Sequence, residues 1–224
     1  MKKIINKIKE KIQTRSLFEY LLWKSGVLDI KELVVKKYFR KEVKRWFADK
    51  GDINLRLDYQ FEIKDLIMDI GTYTGQDLKK LSSKFECNIL GFEPSLKLFQ
   101  DLTKSFNSEL VKIYNFGFSD VNGETYLIDQ KDGSFIKNNP PKKLLNYEKI
   151  RVIKLSDFIF NNEIEQIALV NMNIEGSEYK VLKDLIETGA IERVNTLQVQ
   201  FHRRTFLYPI KRYLITKKLF NTHN

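Results

Sequence analysis

Five short apolar runs in this 224-residue chain each end on a turn that carries acidic, amide or histidine side chains. The first turn reads Asp69-Ile70-Gly71-Thr72-Tyr73-Thr74-Gly75. A strand that runs into a glycine turn and a helix start can hold a nucleotide-type ligand, because glycine accepts positive φ and lets backbone approach the ligand. The spacing is D-x-G-x-x-x-G. It is not the dinucleotide G-x-G-x-x-G, and no Lys-Ser/Thr follows as in a phosphate loop. The plainer reading is a glycine turn that only closes a strand. The second turn is Gly91-Phe92-Glu93-Pro94, and Glu93 lies 24 residues after Asp69. An acid at the end of a second strand can accept hydrogen bonds from both ribose hydroxyls. It can equally sit near a helix N-terminus, whose dipole favours it.

The third turn, Gly117-Phe118-Ser119-Asp120, offers an acid for an adenine amino group and a neighbouring ring, Phe118, as a stacking surface. Asp120-Val121-Asn122-Gly123 is also good hairpin chemistry, so a plain turn is the alternative. The fourth run continues through Asn171, Asn173, Glu175 and Glu178. If ligands gather at the carboxyl ends of the strands, these residues crowd the same mouth as Asp69 and Glu93. Glu178 also reads as a first-turn helix acid. His202 closes the fifth run. It is suited to deprotonating a hydroxyl near neutral pH, or to a structural hydrogen bond.

These turns meet only if the apolar runs are neighbouring parallel strands. The pattern predicts strands over 66–70, 88–92, 111–116, 124–128, 150–155, 167–174 and 196–201. Helices are predicted over 74–85, 96–106, 178–188 and 208–220, with Gly189 closing the third. Such alternation implies a mostly parallel sheet covered on both faces, with right-handed crossovers. Upstream, 2–13 places Ile4, Ile5, Ile8 and Ile12 at helical spacing, 16–26 opens on a capping-box pattern, and 29–50 repeats that logic with Gly51 as its stop. The boundary therefore falls at Gly51-Asp52, giving a basic helical arm over 1–51 and a main domain over 52–224.

Composition narrows the function. Apolar residues are 42% and charged residues 30%, which favours a packed core over disorder. A single cysteine, Cys87, excludes a disulfide framework and a cysteine-rich zinc site, and two histidines leave little for a histidine metal site, so no metal is expected. No run of eighteen apolar residues marks a membrane span, and no apolar region follows the basic start, so a cytoplasmic protein is expected. The net charge of +10 is uneven: residues 1–50 hold 15 bases and 6 acids, 200–224 hold 6 bases and no acid, and the middle holds 18 bases against 23 acids. Basic ends suit nucleic acid, anionic lipid or a phosphate-bearing substrate, against the plain alternative of a solvated surface.

Taken in order, Asp-Ile-Gly-x-x-x-Gly-Gln at 69–76, Gly-Phe-Glu-Pro at 91–94, Gly-Phe-Ser-Asp-x-x-Gly at 117–123, Leu-Ser-Asp-Phe at 155–158, Ile-Glu-Gly-Ser-Glu at 174–178 and Gln-Phe-His at 200–202 resemble the FkbM family of methyltransferases. The resemblance covers roughly 60–205 and leaves the arm outside. It implies an α/β class I methyltransferase fold, a Rossmann-like, doubly wound sheet. It also implies O-methylation from S-adenosylmethionine, commonly of sugars or other secondary metabolites. By this resemblance Asp69, Gly71 and Gly75, with Tyr73 in their turn, cradle the methionine part of the cofactor. Glu93, followed by Pro94, takes the ribose; Ser119 and Asp120, beside Phe118, lie by the adenine; Glu175 and His202 face the reacting methyl.

The chain departs from the family in two places. The family's fourth-strand pattern is Lys-x-Asp-x-Glu-Gly, and Asn171 and Asn173 stand here at the lysine and aspartate. An asparagine takes up no proton at neutral pH, so a base role for that aspartate must pass to Glu175 or His202 or be lost. A class I sheet also normally closes with an antiparallel pair, for which Phe206–Asn224 leave too little chain. A truncated C-terminal edge is therefore expected, for a partner, the arm or a second copy to cover. The leading reading is an O-methyltransferase acting on a small-molecule or glycan hydroxyl. Its basic first helix could lie on an anionic membrane surface such as the inner leaflet, although docking on the rest of the protein or fraying is the commoner outcome for four isoleucines. The alternative is a catalytically degenerate cofactor-binding or scaffold protein of the same fold. A nucleic-acid methyltransferase is disfavoured, because Asn139-Pro140-Pro141-Lys142 sits in an insertion loop and does not follow the fourth strand.

Overall fold

The computed structural model describes residues 41, 43–128, 135–137, 147–202, 208–220 and 222–223. The helices expected over 2–13 and 16–26, most of the one over 29–50 and the loop around Asn139-Pro140-Pro141 lie outside the described residues. Helical residues 43–48 end in a turn where Lys50 takes a φ of 51°. Gly51 opens a new helix, α1 (Gly51–Asn54), in place of the expected stop.

In chain order the main body then runs β1 (Leu66–Ile70), α2 (Gln76–Lys84), β2 (Asn88–Phe92), α3 (Leu96–Ser105) and β3 (Val111–Tyr114). It continues through β4 (Gly117–Ser119), β5 (Gly123–Ile128), β6 (Phe135–Lys137), β7 (Tyr147–Lys154) and α4 (Leu155–Asn161). β8 (Leu169–Met172), α5 (Glu178–Thr188), β9 (Leu197–Val199) and α6 (Tyr208–Leu219) complete it. One sheet has the order β3-β2-β1-β8-β9 with every pairing parallel, the doubly wound arrangement expected of a class I methyltransferase. Among the described residues this sheet ends at β9. No helix of the described residues is long and apolar enough to cross a membrane.

Two expectations need correcting. The run 111–116 is not one strand that ends at Gly117-Phe118-Ser119-Asp120. β3 stops at Tyr114, and Gly117–Ser119 belongs to a second sheet of order β4-β7-β5-β6. The break has a local cause: Asn115 Nδ2 donates to the carbonyls of both Glu93 and Pro94, at 3.0 Å each, which turns the chain out of the first ladder. Leu155, expected to end a strand, instead opens α4. There the buried Asp184 carboxylate of α5 accepts the Ser156 backbone N–H at 3.1 Å and satisfies a helix-start donor.

Strand periodicity sorts the side chains onto two faces. Met68, Ile70, Phe92, Val170 and Met172 face α4 and α5 and form one core with Phe158 and Val181. Ile67, Ile89 and Leu169 face the other way, against Leu78 and Leu81 of α2. Phe92 is the hub of the first core. It is fully buried, and its ring lies 4.8–5.5 Å from those of Tyr114, Phe116, Phe118 and Phe158. This cluster joins the two sheets. Phe92→Ala should therefore destabilise the protein by about 3–5 kcal/mol, the range for an aromatic-to-alanine cavity. Urea unfolding measures it, and a loss under about 1 kcal/mol would mean that the cluster does not join the sheets.

Candidate functional site

Parallel register brings the carboxyl ends of β1, β2, β8 and β9 together. The β1–α2 turn is fixed first. Gly71 N–H and Thr72 N–H both donate to the Phe92 carbonyl, at 3.0 and 3.1 Å, while the Thr72 hydroxyl accepts the Phe92 N–H at 3.0 Å. Three of its residues have positive φ: Gly71 at 85°, Tyr73 at 52° and Gly75 at 81°. Packing adds a second reason for the glycines. A Cβ at Gly71 would overlap the Asn173 carbonyl, and one at Gly75 would press on Leu102 and Phe106. Tyr73 tolerates its strained backbone because its N–H donates to Glu93 Oε2 at 2.8 Å, and its side chain stays exposed.

Glu93 is buried beneath this turn, and its other oxygen accepts the Ser95 N–H at 2.9 Å. Burial pushes its carboxyl up to about 6, against the pull of the two N–H donors. A carboxylate offers roughly four lone-pair sites, so two remain for further donors. Pro94 follows in the turn that Asn115 holds. Asp69 is buried as well. Its Oδ1 accepts from Asn171 Nδ2 at 2.7 Å, and its Oδ2 has no hydrogen-bond partner. Burial raises this carboxyl to about 6, outweighing the Asn171 hydrogen bond.

The β8–α5 turn closes the site from the other side. Asn173 N–H donates to the Ile70 carbonyl at 2.9 Å, and Asn173 Oδ1 is buried without a partner. Glu175 adopts a φ of 53°, which turns its carboxylate toward β9. His202, just beyond β9, lies between two acids: Nδ1 is 2.7 Å from Glu178 Oε1 and Nε2 is 3.2 Å from Glu175 Oε1. Glu178 is fully buried, and the same Oε1 also accepts the N–H groups of Ile174 and Gly176. Glu178 is thus both the first-turn helix acid and the anchor of His202. With a carboxylate on each ring nitrogen, both nitrogens donate only in the imidazolium form.

The adenine-side residues fall elsewhere than expected. Phe118 offers no stacking face; alternation along β4 turns it into the aromatic core, where it is 1% exposed. Ser119 ends β4 of the second sheet and Asp120 follows it, so neither closes the third strand of the first. The Ser119 hydroxyl lies 3.1 Å from Asp120 Oδ1, and Lys180 of α5 pairs with the same oxygen at 3.1 Å. Partial burial pushes the Asp120 carboxyl up, but the Lys180 hydrogen bond and charge with the Ser119 hydroxyl outweigh it and hold it below the ordinary carboxylate range. Lys180, Thr72 and Asn115 were not marked by any motif. A cleft of about 570 Å³ lies between α4 and the second sheet, over Phe116, Ile153 and Phe158, and contains none of these residues. The converging acids mark the site more firmly than that cleft, since buried charge needs a reason and an apolar cleft does not.

The chain matches a family described as the methyltransferase FkbM domain over residues 69–215. Among solved structures it is similar to a complex between the Haloferax volcanii Trm112 methyltransferase activator and a protein described as a methyltransferase. That likeness has 14% identity and a TM-score of 0.34, and it covers 67% of this chain and 50% of the other. The chain thus spans half the length of that relative. No curated protein matches.

The two raised carboxyls give the site a stability cost with a definite pH window. Asp69 ionises near 6 in the folded chain against 3.8 ordinarily, so the folded state holds the extra proton between those values. Its contribution is present below pH 3.8 and lost as pH rises through about 6. Asp69→Asn keeps an acceptor for Asn171 and removes the buried charge. At pH 7 it should stabilise the fold by roughly 1–3 kcal/mol, and the gain should shrink toward zero near pH 4. Chemical denaturation across pH 4–8 tests this, and a gain independent of pH would remove ionisation as the cause.

Proposed function

From the premise that the chain belongs to the FkbM methyltransferase family, we propose that it is an S-adenosylmethionine-dependent O-methyltransferase acting on a hydroxyl of a sugar, glycan or other small metabolite. One observation carries the reading. Asp69, Glu93, Glu175 and His202 come to one mouth at the carboxyl ends of adjacent parallel strands, where doubly wound folds bind ligands. The residues present fit the cofactor. Asp69 keeps a buried oxygen without a partner, and Glu93 keeps acceptor capacity for hydroxyls. Asp69, Gly71, Tyr73 and Gly75 would hold the amino-acid part, Glu93 and Pro94 the ribose, and Ser119 and Asp120 the adenine side. When bound, S-adenosylmethionine supplies a methyl on a positively charged sulfur.

The chain's own residues position the acceptor and take its proton. Glu178 holds the His202 ring through Nδ1, leaving Nε2 toward Glu175 and the mouth. Once Nε2 has lost its proton to solvent, an acceptor hydroxyl that replaces Glu175 there hands its proton to Nε2, and the Glu178 carboxylate at Nδ1 balances the charge so formed. Asn173 cannot serve as a base, but its unpartnered Oδ1 can accept a hydrogen bond that orients the hydroxyl. A second reading, cofactor binding without transfer, is favoured by the amide at that position.

Two measurements decide between the readings. Calorimetric titration with S-adenosylhomocysteine should detect binding, and Glu93→Ala should weaken it by about 1.5–3 kcal/mol. Unchanged affinity in that variant would reject the ribose assignment. With an accepted glycan or sugar nucleotide, transfer should rise with pH as His202 loses its proton. His202→Asn should flatten that rise and lower the rate by roughly 10²–10⁴. Equal rates over pH 6–9 would dismiss His202 as the base. Binding with no transfer to any acceptor would establish the second reading.

A further inference from the structure

A row of polar side chains crosses the main sheet beneath α2, on a face otherwise lined by Ile67, Ile89 and Leu169. Asp69, Asn171 and Gln198 occupy successive register positions on β1, β8 and β9, so their side chains share this face. Arg56, from the segment between α1 and β1, closes the row. Its Nη2 donates to Asp77 Oδ2 of α2 at 2.7 Å and to Asn171 Oδ1 at 3.3 Å. Its own carbonyl accepts from Gln198 Nε2 at 2.7 Å, and the same amide donates to the Tyr59 hydroxyl at 3.1 Å. The segment is therefore tied to the sheet through both main chain and side chain.

The direction of these bonds is informative. An asparagine amide has two ends of nearly equal shape, and only its neighbours decide which way it faces. Arg56 can only donate, so it holds Oδ1 of Asn171 toward itself. Nδ2 is thereby turned to Asp69 Oδ1, at 2.7 Å. The flipped amide would set two donors against each other at Arg56 and two acceptors against each other at Asp69. With Oδ1 of Asp69 engaged by Asn171, Oδ2 is left buried without a partner.

We infer that Arg56 is a positioning residue for the cofactor site: acting through Asn171, it sets the direction in which Asp69 presents its second oxygen to the ligand. The inference rests on the cofactor reading above. It makes the segment before β1 part of the binding machinery, although Arg56 lies outside the matched family region. Asn171 then acts as a relay, with the cation supplied from Arg56.

A double-variant cycle in the full chain tests this. Arg56→Met keeps the aliphatic stem, Asn171→Leu keeps the volume, and thermal melts confirm that both fold. Each should weaken S-adenosylhomocysteine binding by about five- to twenty-fold, and the double variant should be no weaker than the worse single one. Losses that multiply in the double variant, or full affinity in Arg56→Met, would overturn the relay. The second readout is the ionisation of Asp69 in the ligand-free protein, followed by carbon-detected NMR of the aspartate carboxyls. Both single variants should move it upward, because each removes a group that favours the anion; Asp77, the nearby like charge, is unchanged. If the wild type binds no S-adenosylhomocysteine, the cofactor reading fails and the relay is judged on this titration alone. An unmoved Asp69 in Arg56→Met then overturns it, as does a full further shift when Arg56→Met is added to Asn171→Leu, since the Arg56 charge also reaches Asp69 directly. Single-variant shifts that do not add in the double variant support it.

Discussion

Two turns meet at the head of the sheet with no space between them. The α-carbon of Gly71 lies against the Asn173 carbonyl, and the Asn173 N–H reaches the Ile70 carbonyl at 2.9 Å. This backbone contact sets the distance between β1 and β8 just where both strands stop. Gly71 and Thr72 in turn hold Phe92 of β2, which places Glu93 under the turn, and Asn173 leads into the tight corner that carries Glu175. Side-chain bonds such as Asn171 to Asp69 and Glu178 to His202 then set how side chains from three strands are aimed, but main-chain geometry sets where they start. That is the cheaper way to hold several acids close together, since the backbone bonds do not weaken when a carboxyl changes its proton.

The fold tolerates these acids because apolar packing outweighs them. Asp69, Glu93 and Glu178 are all buried, and two of them ionise well above the usual carboxylate range. Against this stand two apolar layers, one on each side of the sheet, and the ring cluster around Phe92. The acids lie at the strand ends and along one polar row, while apolar side chains fill the rest of both faces. Such a division is expected where a site is destabilising by nature and the scaffold must compensate.

Much of the main sheet was legible in the sequence. The runs at 66–70 and 88–92 became strands with those bounds, and Asp69 and Glu93 fell together because parallel register turns equal strand length into equal height. Legibility failed where a signal was continuous across a break. The apolar stretch through Phe116 and Phe118 hid the change of sheet at Asn115, because a side chain bonding to two carbonyls leaves no periodicity. The same error turned Phe118 into a stacking surface, when alternation along the new strand sends it into the core. The contact between His202 and Glu178 spans 24 residues and depends on α5 folding back beside β9, which no local pattern encodes. Arg56 was invisible for a different reason. It precedes every motif, and only the docking of its segment under α2 gives it a place.

If the adenine side lies at Asp120 as proposed, its ion pair with Lys180 would bear on the speed of ligand entry. It is half-exposed, spans from α5 to the end of β4 and closes at 3.1 Å. Pairs of this kind are worth about 0–1 kcal/mol, and at 3.1 Å this one lies well inside the Debye length of about 8 Å at physiological ionic strength, so salt screens it only in part. On the cofactor reading proposed above, a ligand reaching Asp120 would have to part this pair, a delay of under about ten-fold that would change little with salt. Any longer-range steering of a charged ligand would instead fade as ionic strength rises.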